Sequence, residues 1–133
     1  MYFSGKIVFE ILNTGNIESD IIEQLGFEPT KVIVKGNTVG YSNRVAPYNI
    51  WAYEKKFEDS NFSEVLISFY NNLLLNINNI VYVSRQYERT EINIYINTNY
   101  AQFGFSLPNN IINVMSKLGL EVNFHFLSSG EVE

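Results

Sequence analysis

Val114-Met115-Ser116-Lys117-Leu118-Gly119-Leu120-Glu121 repeats a pattern found earlier in the chain, in Ile21-Ile22-Glu23-Gln24-Leu25-Gly26-Phe27-Glu28. Each stretch reads as the end of an amphipathic helix, a glycine stop, an apolar residue, then a strand. Glycine reaches the left-handed conformation that closes a helix, and the apolar residue after it packs back on the last turn. The echo places two helix-to-strand joints, one near each end of the chain.

Outward from the first joint, residues 6–12 are β-prone, with Ile7, Phe9 and Ile11 on one face. Asn13-Thr14-Gly15-Asn16 reads as a turn. Asn16 is placed to cap a short helix whose stripe is Ile17, Ile21, Ile22 and Leu25. After Pro29, residues 31–35 form a strand with Val32 and Val34 expected inward. Residues 36–47 lack periodicity and hold Gly36, Gly40 and Pro47, so they read as a loop. Strand character resumes over residues 48–57.

Asp59-Ser60-Asn61 signals a helix start, with Asn61 and Glu64 at capping-box spacing. Phe62, Val65, Leu66, Phe69 and Leu73 then recur at helical intervals. Residues 76–89 fit either a second helix, through Ile77, Ile80, Val81 and Ser84, or a short strand. The spacing leans to helix. Residues 91–97 alternate, with Ile92, Ile94 and Ile96 opposite Glu91, Asn93, Tyr95 and Asn97. A turn at 99–102 leads to a further strand over 103–107.

Pro108 suits the first helical position, and Ile111, Ile112, Met115 and Leu118 are expected to face inward. Beyond the second joint, residues 121–127 alternate with Val122, Phe124 and Phe126 inward.

The order β-α-β-β-α-β-β-α-β predicts an α+β fold. Its strands want one dry face, which a single mixed, largely antiparallel sheet with helices on one face provides. A ferredoxin-like or related order is expected, with right-handed crossovers. One domain spans residues 1–127, and residues 128–133 form a polar tail.

Composition bounds the function. There is no Cys, so no disulfide, thiolate nucleophile or Cys-based zinc site can form. Net charge is −5 and the basic residues are scattered apart from Lys55-Lys56, which disfavours nucleic acid as a partner. An acidic chain suits a basic protein partner. The opening residues lack the pattern of a signal peptide, and no apolar run approaches the roughly 20 residues of a membrane span. A cytoplasmic protein is expected.

Chemistry is sparse. His125 is the single histidine. Its strand position puts it on the wet face with Glu121 and Asn123, and Glu91, Asn93 and Tyr95 of another strand share that face. These residues, centred on His125, Asn123, Tyr95 and Asn93, make one candidate site, for a small ligand or an acid-base step. The other candidate is the aromatic stretch of residues 41–57. Tyr41, Arg44, Tyr48, Trp51 and Tyr53 are the residue types that dominate binding hot spots, although Trp51 also suits a core anchor. Phosphate-binding glycine patterns and metal-ligand motifs are absent, so no cofactor or metal is expected.

The opening strand, Leu25-Gly26-Phe27-Glu28-Pro29-Thr30, the loop at Gly36, the lone Trp51 and the closing Leu118-Gly119-Leu120-Glu121 with its aromatic strand carry a resemblance. Together they resemble a family of small bacterial proteins of about this length, catalogued as a domain of unknown function. The resemblance covers nearly the whole chain and implies a fold but no activity. By analogy of size, it implies a binder of the antitoxin or immunity type.

Three functional expectations follow. The first is a non-enzymatic protein-binding module using residues 41–53. The second is a small-ligand sensor or enzyme using the sheet face around His125. The third is a homodimer formed through a strand edge.

Overall fold

The computed structural model describes residues 2–39 and 44–132. It is α+β, with helices packed on one face of a mixed five-stranded sheet. The elements in chain order are β1 (Ser4–Asn13), α1 (Ile21–Leu25), β2 (Lys31–Ile33), β3 (Thr38–Val39), β4 (Arg44–Val45), β5 (Asn49–Glu58), α2 (Phe62–Leu74), α3 (Ile77–Ser84), β6 (Arg89–Tyr100), α4 (Asn109–Leu118) and β7 (Glu121–Glu131).

The strand order is β2-β5-β1-β6-β7. All neighbours are antiparallel except β6 and β7, which are parallel and joined through α4. A ferredoxin-like sheet has four strands; here α4 and β7 add a fifth. The strands β3 and β4 pair as a separate two-stranded sheet inside the segment expected to be loop.

Strand alternation sorts the two faces. Ile7, Phe9 and Ile11 of β1 join Trp51 and Phe57 of β5 and Ile92, Ile94 and Ile96 of β6 in one core. Against them pack Phe62, Leu66, Phe69 and Leu73 of α2, Ile80 and Val83 of α3, and Ile111, Val114 and Leu118 of α4. Of the ambiguous residues 76–89, residues 77–84 are helical, as the spacing favoured.

Both echoed joints form alike. Gly26 (φ 87°) and Gly119 (φ 73°) take the left-handed conformation, and their N–H groups donate to Ile22 and Met115. Phe27 and Leu120 then fold back on the core.

Several local expectations are corrected. Asn16 does not cap α1, which starts only at Ile21. Asn13 Nδ2 donates to the Asn16 carbonyl at 3.2 Å and Asn49 Nδ2 to that of Gly15 at 2.8 Å, which holds the chain in a turn. Asn61 does not pair with Glu64. It closes a reciprocal cap with Glu58 around a short 3-10 turn, its Oδ1 accepting from the Glu58 N–H at 2.7 Å.

Val32 and Val34 are exposed rather than inward, at 60% and 53%. Val32 does lie in register with buried Trp51, but β2 is the sheet's edge and an open cleft lined by Ile21, Ile22 and Trp51 lies beside it. Ile22 and Ile112 are likewise exposed, and Val114 takes the inward position instead. Pro108 is the residue before α4 rather than its first.

Residues 103–107 form no strand. Their alternation is real, since Phe103, Phe105 and Leu107 all pack on the core, but no neighbouring strand pairs with them. They line the way from β6 to α4 as an apolar strap, with Phe105 5.8 Å from Phe124 and 5.5 Å from Phe62 between ring centres. Finally, β7 runs through Ser128 to Glu131, where a polar tail was expected, because Ser128 pairs with Thr98 and its hydroxyl donates to the Tyr100 carbonyl.

Candidate functional site

The face of the sheet opposite the helices is the candidate site. Lys6, Val8 and Glu10 of β1 lie there, in register with Tyr95, Asn93 and Glu91 of β6. Those three in turn face His125, Asn123 and Glu121 of β7. The apolar members of this face, Val8, Leu12 and Ala52, stand outside the main core although they too are buried.

The polar side chains form a continuous row. The Tyr48 ring lies 5.9 Å from the Arg89 guanidinium. Arg89 donates to both carboxylate oxygens of Glu91, at 2.9 and 3.0 Å. Asn93 Nδ2 donates to Glu91 at 3.2 Å, and Asn93 Oδ1 meets His125 Nε2 at 2.9 Å. His125 stacks on Tyr95, 4.5 Å between centres and 13° between planes. Lys6 Nζ lies 5.5 Å from the Tyr95 ring centre and 3.2 Å from Glu54.

The row has a direction. An ionised carboxylate only accepts, so Glu91 turns the Asn93 amide to donate to it. The Asn93 oxygen then faces His125, which must carry a proton on Nε2. In the neutral ring this leaves Nδ1 as the acceptor. Glu91 and Asn93 are each only 4% exposed on a face with no helix over it.

Glu10 faces Glu91 directly across the strand pair. Burial, and then the charge of Glu91, raise its pKa above the ordinary carboxylate value, while hydrogen bonds from Asn93 and Tyr95 and the charge of Lys6 oppose the rise. Among the described residues Glu10 makes no ion pair; Glu54 takes Lys6 and Glu91 takes Arg89. Burial and the charges of Glu10 and Glu91 push the Tyr95 phenol up to about 12. No three His, Asp or Glu side chains among the described residues group as metal ligands.

The structure separates the two sequence-derived candidate sets. Asn93, Tyr95, Asn123 and His125 do converge on one face. The aromatic set is split. Trp51 is 3% exposed and packs edge-on to Phe9, 6.1 Å away. Tyr53 is half-buried and stacks on Phe69 at 5.4 Å. Both point to the helix side, because strand alternation puts them in phase with Phe57 in the core. Arg44 is exposed in β4, Tyr48 joins the row beside Arg89, and Tyr41 lies outside the described residues.

Glu10, Lys6 and Arg89 escaped the sequence reading. Glu10 had a signal: it is a charge at a wet-face position inside an apolar strand, Ile7-Val8-Phe9-Glu10-Ile11-Leu12.

The fold and the row define an α+β domain with one helix-covered sheet face and one preorganised polar face. Over residues 7–129 the chain matches the family model described as "Domain of unknown function (DUF4279)", and it belongs to that family. No curated protein and no solved structure matches it. Among the described residues, no helix is long and apolar enough to cross a membrane.

Proposed function

We propose that the protein is a non-enzymatic binding module whose open sheet face receives a cationic group, a Lys or Arg side chain of a protein partner. The observation that carries this reading is Glu10. It is a half-buried carboxylate without an ion pair among the described residues, set against a second carboxylate inside a hydrogen-bonded row. Facing like charges on paired strands destabilises a sheet, and an incoming cation would relieve the repulsion. A net charge of −5 adds long-range attraction for a basic partner. An immunity-type inhibitor of a basic protein is the form this reading takes.

A second reading rests on a groove beside the row. It has a volume of about 800 Å³ and is lined in part by Lys6, Lys56, Tyr95 and Asn97. Lys6 there is already paired with Glu54 and Glu58 also lines the groove, so Lys56 is the cation that would favour a small anionic ligand over a basic peptide.

The test is an NMR titration of the labelled protein with a Lys/Arg-rich peptide and, separately, an acidic peptide of the same length. The basic peptide is expected to shift amides of residues 91–95 and 121–125, less so in Glu10→Gln and at high salt. Shifts confined to residues 44–48, or none, would refute the cationic reading. A response to the acidic peptide alone would favour the groove.

A further inference from the structure

The two edges of the sheet are built differently. The β2 edge is three residues long, follows Pro29 and carries Lys31, with Lys35 just beyond. Short length, proline and lysine are standard ways to keep an edge from pairing. The β7 edge is eleven residues long. It holds no Lys, Arg or Pro, and Val122 to Ser128 carry no formal charge when His125 is neutral. Phe126 and Leu127 stand 55% and 69% exposed near its middle. Unpaired, this edge would be an aggregation hazard.

We propose that β7 pairs with β7 of a second copy, antiparallel, about a two-fold axis at His125. The sequence there is self-complementary. Centring on His125 sets Phe124 opposite Phe126 of the partner copy, twice, on the helix-side face. Those rings would extend the cluster already formed by Phe103, Phe105, Phe124 and Phe126. Centring on Phe124 or Phe126 instead leaves only one aromatic pair. Aromatic cross-strand pairs are among the favourable ones.

The self-complementary Phe124 and Phe126 spacing selects the occupant, and since Val122 to Ser128 hold no Asp, Glu, Lys or Arg, a copy of the same chain meets them without opposing acidic or basic side chains. In this register Asn123 faces Leu127 of the other copy, and the regular stretch available for pairing ends at Ser128, beyond which β7 bulges against β6. Both helical layers stay on the same side of a ten-stranded sheet, and the two polar rows meet at the His125 pair. This inference does not depend on the cationic-partner reading.

The absence of cysteine makes the test clean, because one introduced cysteine is the only thiol in the chain. The wild-type protein is expected to sediment as a concentration-dependent dimer. His125→Cys should form an intermolecular disulfide rapidly, since directly opposed Cβ atoms lie near disulfide reach. Asn123→Cys mixed with Leu127→Cys should crosslink, and neither should alone. His125→Lys, which puts like charges face to face, should weaken the dimer about fivefold.

A protein that stays monomeric at all concentrations overturns the proposal. So does a His125→Cys variant that crosslinks no faster than Ser63→Cys on the exposed face of α2. Trp51 fluorescence establishes that each variant is folded.

Discussion

Gly5 sits where β1 passes close to β6. A Cβ added to it would lie 1.8 Å from the Tyr95 carbonyl oxygen and 3.0 Å from Phe57 Cζ. Relieving the first contact from 1.8 Å to at least 3.0 Å needs a movement of about 1.2 Å. The obstacle is backbone in the middle of a five-stranded sheet, so neither strand can yield by turning a side chain. A shift of that size stretches the flanking β1–β6 hydrogen bonds beyond useful length. Losing two of them costs about 1–3 kcal/mol, and overpacking in a close-packed interior costs about 1–3 kcal/mol more. The lower unfolded-state entropy of alanine returns about 0.4–1 kcal/mol.

Gly5→Ala is therefore expected to destabilise the fold by about 3 kcal/mol, a large part of the ~5–15 kcal/mol typical of a domain. Urea unfolding followed by the fluorescence of Trp51, the lone and buried tryptophan, reads this directly. Gly104→Ala is the control, because nothing lies within 4 Å of the atom it would add. Because Gly5 abuts Tyr95, the variant should also disturb the Tyr95–His125 stack, visible in the His125 ring resonances. A Gly5→Ala midpoint equal to that of Gly104→Ala would refute the close approach.

Two further outcomes follow from the site. Burial and the facing Glu91 raise the pKa of Glu10 in the folded state, so on a rising pH scale the unfolded chain loses this proton first. Below the ordinary carboxylate value both states hold it. Stability falls as pH rises from there to the folded-state pKa and stays lower above it. Glu10→Gln should thus be more stable than wild type at neutral pH, with the difference vanishing in acid; melting curves that run parallel across pH would contradict the assignment. Trp51→Ala should cost about 3–5 kcal/mol, as for any large buried aromatic, and act on folding rather than on a binding surface. A stable Trp51→Ala variant with altered peptide binding would return Trp51 to the site.

Much of the architecture was legible in the chain because it is written in short-range periodicity. Alternation in β1 and β6 named the inward isoleucines and Phe9, and the i, i+3, i+4, i+7 pattern named the face of α2. Gly26 and Gly119 marked the helix ends because a left-handed residue is a local backbone demand. The site was half legible. Alternation put Glu91, Asn93, Tyr95 and His125 on the wet face, yet it also left Glu10 there unremarked as one charge in an apolar strand.

What periodicity cannot carry is the neighbour. Val32 and Phe126 have the correct phase for burial and are exposed because they lie on the sheet's edge strands. Residues 103–107 alternate like a strand but find no ladder to join. The Glu91–Asn93–His125 row depends on the parallel register of β6 and β7, and the Glu10–Glu91 opposition on the antiparallel register of β1 and β6. The sequence by itself determined which side of each strand is dry. Only the tertiary structure decided which strand lies next to which, because hydrogen-bonded register couples residues that no local pattern connects.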